Sequence, residues 1–531
     1  MKQRIPSRRT GRPALLCLVM ATLCLAGTPV AGETATFVGH REPPYAYDVL
    51  EQGVWSGRDF ACPPVTTLNV FSPTWNIFPS ASSTAPFPQE PGVWFRHRGA
   101  NGSDGSNVWA GDGGTGAGAL GLTFTFLADP WYVWFSGRNP EVDDPVQGML
   151  GSIQTRGDGS YGTAVESVAG NGGRGGDLYS IIYGKAGDGG RGGNGGDVNA
   201  TVTTGTVGNL VSTIFTEGQY AHGIFALSQG GAGGRGGDSH VAGVAIGGNG
   251  GLGGRGGAVS VDATIAVVTE GETSHGILAR SLGGAAGGAG GAGGLYGGGG
   301  DAGDSGHGGT VDVISRGAID VKALNSDGIL AQSIGGFAFG GGGGGGGVFY
   351  GGSGGSSGNG NTVSVTNHGR IDARGAGGSA LVAQSIGGGG GRGGAGGGVS
   401  SLGASGGAGG DGGSVNVANT GRLVAYQDDS AGLIAQSIGG GGGTGAGTGG
   451  FVAVGGSQGS SGDGDNVTVT NTGIISTAGV GGDALFAQSV GGGGGRAAAS
   501  GGAFVFGGSG DSGGAGGAVQ VTNNANLATR G

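Results

Sequence analysis

A short apolar segment occurs six times in this chain, and its last five copies begin 52 residues apart, at His275, Asp327, Ser379, Ala431 and Asp483; the first begins at His222. Each copy reads as two variable residues, two large apolar residues, Ala, a variable residue and Ser, and each runs into glycine. A second landmark keeps the same interval. Val259, Val311, Val363, Val415, Val467 and Val519 each open a V-x-V motif, with Val198 as an earlier counterpart. A fixed period carried by two independent landmarks is the signature of a stacked, quasi-one-dimensional architecture in which each unit buries its apolar face on its neighbours.

One unit can be read residue by residue. Val363-Ser-Val-Thr366 alternates with period two, as a strand with one buried face does. Asn367-His-Gly369 has turn chemistry, Ile371-Asp-Ala373 resumes the alternation, and Ala380 to Ile386 makes a third strand. No segment shows a capped 3.6-residue period. The expected fold is therefore all-β: a parallel β-helix, or β-solenoid, of 52-residue repeats with glycine-rich loops. The repeats start faintly at Thr163-Ala-Val-Glu-Ser167. Asn367, Asn419, Asn471 and Asn523, and likewise Gln332, Gln384, Gln436 and Gln488, fall at equivalent places. In-register stacking would line them up as columns whose amides bond from coil to coil.

The third strand is apolar at adjacent positions, such as 277 and 278 or 485 and 486. Neighbours on a strand point to opposite sides, so one of each pair needs cover outside the coil. The glycine-rich stretches carry small apolar patches of their own (Val348-Phe-Tyr350, Phe451-Val-Ala-Val454). Each unit is thus expected to make two coils of about 26 residues, or one coil with a glycine-rich flap over the outer face. Six units would give a rod of about 30 Å in the second case and about 60 Å in the first.

Glycine supplies 146 of 531 residues but proline only 15, and no Gly-X-Y frame holds for long, which excludes collagen. With charged residues at 11%, the chain is not charge-driven disorder. Lys2, Lys185 and Lys322 are the only lysines, and the net charge is −10. No cation cluster is present for nucleic-acid phosphates.

Three regions differ in composition. Residues 1–32 read as a signal peptide, in which five basic residues precede the apolar run Ala14–Ala26, too short to span a bilayer. Cleavage after Ala26 and after Gly32 both fit. Removing those five charges takes the net charge to −15. Residues 33–150 hold all six tryptophans and every proline after the leader, and read as a non-repetitive capping region. Leu122–Leu127 and Trp131–Phe135 are two expected strands within it. Residues 151–531 are the repeats, and Val519 opens a unit whose serine would fall near position 541, so the sequence reads as truncated in its last repeat. After export only Cys62 would remain, leaving no internal disulfide.

No catalytic, cofactor or metal constellation emerges. The position held by His222 and His275 carries Asp327, Ser379, Ala431 and Asp483 in later copies, and reads as a tolerant exposed site. The repeated serine has no His or Asp at fixed spacing. The chemical rival is calcium. Gly172–Ser180, Gly192–Ala200 and Gly233–Val241 partly fit the nonapeptide G-G-x-G-x-D-x-U-x, but they are isolated, whereas that motif needs tandem copies to close on an ion.

Through A-Q-S-I-G-G-G-G and V-x-V-x-N-x-G-x-I, residues 160–531 resemble the passenger regions of bacterial autotransporters, more narrowly the glycine-rich group. The resemblance implies Gram-negative export, a β-helical stalk at the cell surface, an outer-membrane translocator barrel as partner, and adhesion to host cells, matrix or further copies. The family has no catalytic residues to map onto these repeats. The departure from its pattern is the lack here of a C-terminal run of barrel strands. The functional expectation is a surface-displayed or secreted structural or adhesive passenger; the alternative is a soluble secreted calcium-binding β-roll.

Overall fold

The computed structural model describes residues 153–203 and 213–531, together with residues 98, 100–104, 112 and 114–117 and the strands Thr36–Val38, Thr67–Ser72, Trp75–Asn76, Val93–Arg98, Leu122–Ala128, Thr206–Val207 and Leu210–Val211. The expected signal peptide, the strand at Trp131–Phe135 and the tryptophan side chains of 33–150 lie outside the described residues.

The architecture is a parallel β-solenoid, and no helix occurs among the described residues. Four sheets run along it. In the unit that opens at Val363, sheet A takes Val363–Asn367, sheet B Ile371–Ala373, sheet C Leu381–Ile386 and sheet D Gly396–Leu402. Each strand pairs in parallel with its counterpart 52 residues on, as in Val363↔Val415 and Leu381↔Leu433. One repeat is therefore one coil, and the two-coil alternative is excluded. The eroded copy Thr163–Val168 pairs in register with Ile224–Gln229 in sheet C. Strands from 33–150 continue the sheets: Thr67–Ser72 and Leu122–Ala128 join A, Trp75–Asn76 joins B and Val93–Arg98 joins C. One interval is 61 residues, Val198↔Val259, and the hairpin Thr206–Val207/Leu210–Val211 is inserted there between sheets A and B.

Sheets A, B and C enclose one continuous core. In a single coil Val363, Val365, Ile371, Ala373, Leu381 and Ala383 are all fully buried. The A strands alternate as their pattern requires, with Val363, Val365 and Asn367 inside and Ser364 and Thr366 facing out. β-Branched residues suit this half-buried pleated position, where their stiff side chains pack on the coils above and below.

The glycine-rich segments form a second lobe. An outgoing arm leaves the end of each C strand, D makes the tip, and a return arm leads to the next A strand. The arms carry no strand hydrogen bonds, yet short runs follow a three-residue frame, G-G-x, which the sequence reading missed. In Asn249-Gly250-Gly251 the Gly250 amide donates to the Asp301 carbonyl of the next coil at 2.8 Å, the Gly251 amide to the Gly234 carbonyl of the facing arm at 2.8 Å, and the Asn249 amide to Asp188 Oδ1 of the previous coil at 2.6 Å. Three residues thus send their amides in three directions, the pattern of an extended three-fold helix with no internal bonds. Close approach enforces the glycines: a Cβ on Gly251 would lie 1.9 Å from the Gly190 carbonyl oxygen.

The lobe does not cover the outer face of sheet C, so the flap is also excluded. Its apolar residues make a separate small core of Val241, Ala245, Ala292 and Phe349, with Leu178 against them. The outward residues of sheet C cover one another at Phe225, Leu278 and Val382, whereas Leu330, Ile434 and Phe486 are half-buried. Phe225 and Leu278 are buried together, and Tyr161 and His222 lie over Phe225 with ring centroids at 4.9 and 5.7 Å.

Candidate functional site: stacked ladders and an uncharged tip

The asparagines end the A strands and point inward, so they are core groups. Asn367 Nδ2 donates to Asn419 Oδ1 at 2.8 Å, Asn419 to Asn471 at 2.7 Å and Asn471 to Asn523 at 2.7 Å. Each Nδ2 also reaches the carbonyl two residues on, Gly369 for Asn367 and Gly421 for Asn419. Asn367, Asn419 and Asn471 are at most 1% exposed. A buried amide must find partners, and stacking identical coils supplies the same partner each time. The glutamines form a parallel column on the outward face of sheet C: Gln332 Nε2 donates to Gln384 at 2.6 Å, Gln384 to Gln436 at 2.7 Å and Gln436 to Gln488 at 3.0 Å.

The repeated serine is fully buried at the corner where C strands meet the return arms. Ser333 Oγ donates to the Gly309 carbonyl at 2.7 Å and accepts the Asn361 amide at 2.9 Å. Its neighbours are 24 residues before and 28 after, an interval readable in the sequence but hidden within glycine.

The column read as tolerant and exposed is buried at His222, His275, Ser379 and Ala431, half-buried at Asp327 and exposed at Asp483. His222 and His275 are 6% and 8% exposed, and their rings stack at 5.0 Å. His222 Nδ1 accepts the His275 amide, and His275 Nδ1 the Asp327 amide, both at 3.0 Å. The proton of each neutral ring therefore sits on Nε2. Asp327 Oδ1 continues the column by accepting the Ser379 amide at 2.8 Å. Imidazole, carboxylate and hydroxyl each serve in turn, Ser379 Oγ accepting the Ala431 amide at 3.2 Å, and Ala431, which has no side-chain acceptor, ends the run. Burial, then the neighbouring His275 and Arg280, lower His222 from 6.5 to about 3. Burial and Arg280 lower His275 to about 4. Burial raises Asp327 to about 7 against the opposing bond from Ser379. All three shifts favour the uncharged form.

The aspartates of the nonapeptide-like segments have the same task. Asp177 Oδ1 accepts the Asp238 amide at 2.8 Å, Asp197 Oδ1 the Ala258 amide at 2.8 Å, and Asp238 Oδ1 the Gly291 amide at 2.7 Å. Arg174 and Arg235 also reach Asp177 and Asp238, at 2.8 and 3.0 Å. Among the described residues no group of three or more His, Cys, Asp and Glu is placed to hold a metal ion. No helix among them is long and apolar enough to cross a membrane, which says nothing of β-barrels.

At the lobe's tip the pattern reverses, and large apolar side chains face outward. Tyr179, Ile182, Tyr296, Val399, Phe451 and Phe504, from five of the D segments, are all more than half exposed.

The chain matches no protein-family model, no curated protein and no solved structure.

Proposed function

We propose that this chain is the passenger stalk of an autotransporter-like protein, exported and held at a Gram-negative surface or released from it, with a structural or adhesive role and no catalysis. The observation that supports this most is the single unbroken register of the stack. From Val259 to Val519 every A strand pairs in register with its predecessor, one repeat back. Such a column extends with coil number without new chemistry, as a spacer needs. The repeated serines and aspartates support the absence of catalysis, because the coil-to-coil bonds occupy them.

The test is labelling of intact, unpermeabilised Gram-negative cells expressing the gene with an antibody raised against 363–454. Surface or medium signal is expected. Signal seen only after lysis sinks the display reading. A calcium chelator should leave the circular dichroism of the purified chain unchanged; loss of β signal would instead favour the calcium-folded alternative.

A further inference from the structure

The tip of the glycine lobe is an uncharged apolar ridge running along the stack. The D strands Ala292–Gly298, Gly344–Tyr350, Gly396–Leu402, Thr448–Val454 and Gly501–Phe506 contain no charged residue. Leu295, Tyr296, Val399, Phe451, Phe504 and Phe506 stand out from them at 52–67% exposure. The rings of Phe451 and Phe504 already meet edge to face at 5.4 Å from one coil to the next. Lower in the stack, beyond the coil that presents His240 and Val244, Tyr179 and Ile182 are 70% and 78% exposed. The charges beside it are paired within the chain: Lys185 with Asp188 at 2.8 Å and Arg235 with Asp238 at 3.0 Å.

We propose that this ridge is a docking surface for a second copy of the same chain, tip to tip. Three observations select that occupant. First, a contiguous apolar patch of more than a few hundred Å2 is rare on a monomer and marks an interface. With aromatic side chains of roughly 150–250 Å2 each, a ridge this exposed offers on the order of 800 Å2, the share one partner contributes to a stable dimer. Second, the chain carries a net charge of −10, so two copies repel through most of their surfaces but not through the neutral tip. Third, the ridge repeats at the spacing of parallel strands, about 4.8 Å, and a second copy presents ridges and gaps at that same pitch. A partner without this repeat matches one coil and falls out of step at the next. Gly293, Gly345 and Gly397 leave room between the protruding side chains, and a Cβ on Gly293 would meet nothing within 4 Å.

The inference deepens the adhesive part of the proposed function yet stands on the tip alone. A chain that never reaches a cell surface would still dimerise in solution, and a monomeric chain could still be displayed.

Sedimentation velocity of the full chain across a hundredfold concentration range tests it. The expected result is a monomer–dimer shift in the micromolar range. The triple variant Leu295→Ser, Val399→Ser, Phe451→Ser should raise the dissociation constant at least tenfold with unchanged circular dichroism. Val521→Pro, on the outermost described strand of sheet A, should leave dimerisation intact. Concentration-dependent hydrogen exchange of the wild type gives a second readout free of any variant: amides in 292–298 and 396–402 should gain protection as dimer forms. A chain monomeric throughout, dimerisation lost in Val521→Pro but kept in the triple variant, or a monomer that instead co-sediments with phosphatidylcholine vesicles would each overturn the proposal.

Discussion

Ser281 Oγ donates to the Gly257 carbonyl at 2.7 Å, and the same oxygen accepts the amide of Gly309, one coil further on, also at 2.7 Å. One hydroxyl thereby fastens the end of a C strand to two successive return arms. Its position at the corner joins the two lobes, and it recurs with every coil.

Ser281→Ala should accordingly cost more than an exposed serine would. It leaves the Gly309 amide facing a methyl group in a buried corner, and an orphaned buried donor costs about 1–3 kcal/mol. The urea midpoint should fall by that equivalent, and hydrogen exchange at Gly309 should speed up relative to Gly358, on the next coil's return arm. An unchanged exchange rate at Gly309 would show that the clasp contributes nothing.

The two amide ladders predict unequal losses. Asn419 sits mid-ladder inside the core, with bonds to Asn367, Asn471 and the Gly421 carbonyl. Asn419→Ala should destabilise by about 2–3 kcal/mol, since several buried partners are stranded at once. Gln436 lies half-buried outside sheet C, where water can replace its neighbours, so Gln436→Ala should cost about 0.5–1 kcal/mol. Parallel chemical denaturation of the two variants checks the order, and equal losses would contradict the inside–outside distinction.

The arms discriminate by place within the triplet. A Cβ at Gly303 would lie 2.0 Å from the Gly251 carbonyl oxygen and 3.0 Å from that of Gly250. Asp304, next in the chain, faces solvent and accepts the Ser356 amide at 2.9 Å. Gly303→Ala should open the arm locally, seen as lost amide protection across 299–309. Asp304→Ala should cost no more than about 1 kcal/mol.

One turn position recurs in a left-handed backbone: Tyr220, Thr273, Asn325 and Asp429 have φ of 53–56°, and Gly159, Gly377 and Gly481 have φ of 71°, 71° and 75°. Asn and Asp tolerate this region, but β-branched Thr273 does not, at a cost of roughly 1–2 kcal/mol. Thr273→Gly should stabilise the fold by about 1 kcal/mol, and Gly481→Ala should destabilise it by a similar amount. A calorimetric melt of each variant tests the pair.

How far the sequence carried the fold follows from these same residues. The V-x-V and A-Q-S motifs were legible because every coil meets identical neighbours, so each position repeats its demand. Asn367 and Gln384 stood out for the same reason. The glycine arms were opaque because their interactions are backbone to backbone, and only the x of G-G-x has a side chain to vary. The His222 column misled in the opposite direction. Imidazole, carboxylate and hydroxyl can each accept the next coil's amide, so variation in residue type hid a buried position. The apolar pairs of sheet C implied a cover that the lobe does not provide: stacked neighbours and the Tyr161–His222 turn bury Phe225 and Leu278, and Leu330, Ile434 and Phe486 stay half-buried.

That buried column also gives the stack a pH dependence whose sign can be worked out. His222 and His275 titrate near 3 and 4 when folded and near 6.5 when unfolded. Between pH 6.5 and 4 the unfolded chain therefore binds two protons that the folded chain refuses, and stability falls with falling pH. Asp327 acts in reverse. Its carboxyl titrates near 7 when folded and 3.8 when unfolded, so across the same window the folded chain holds one extra proton and gains stability as pH falls. Within this column the net difference is one proton, so on acidification from 6.5 to 4 it loses stability by on the order of 1 kcal/mol per pH unit. Replacing both histidines by Asn keeps a side-chain acceptor for the next amide and removes the two titrations. The double variant should then lose the column's acid sensitivity and reverse its contribution to the slope, whereas Asp327→Asn alone should steepen the wild-type loss about twofold. Melting curves at half-unit intervals measure all three slopes. If the double variant parallels the wild type, the pH response comes from elsewhere in the chain and the imidazoles are not its source.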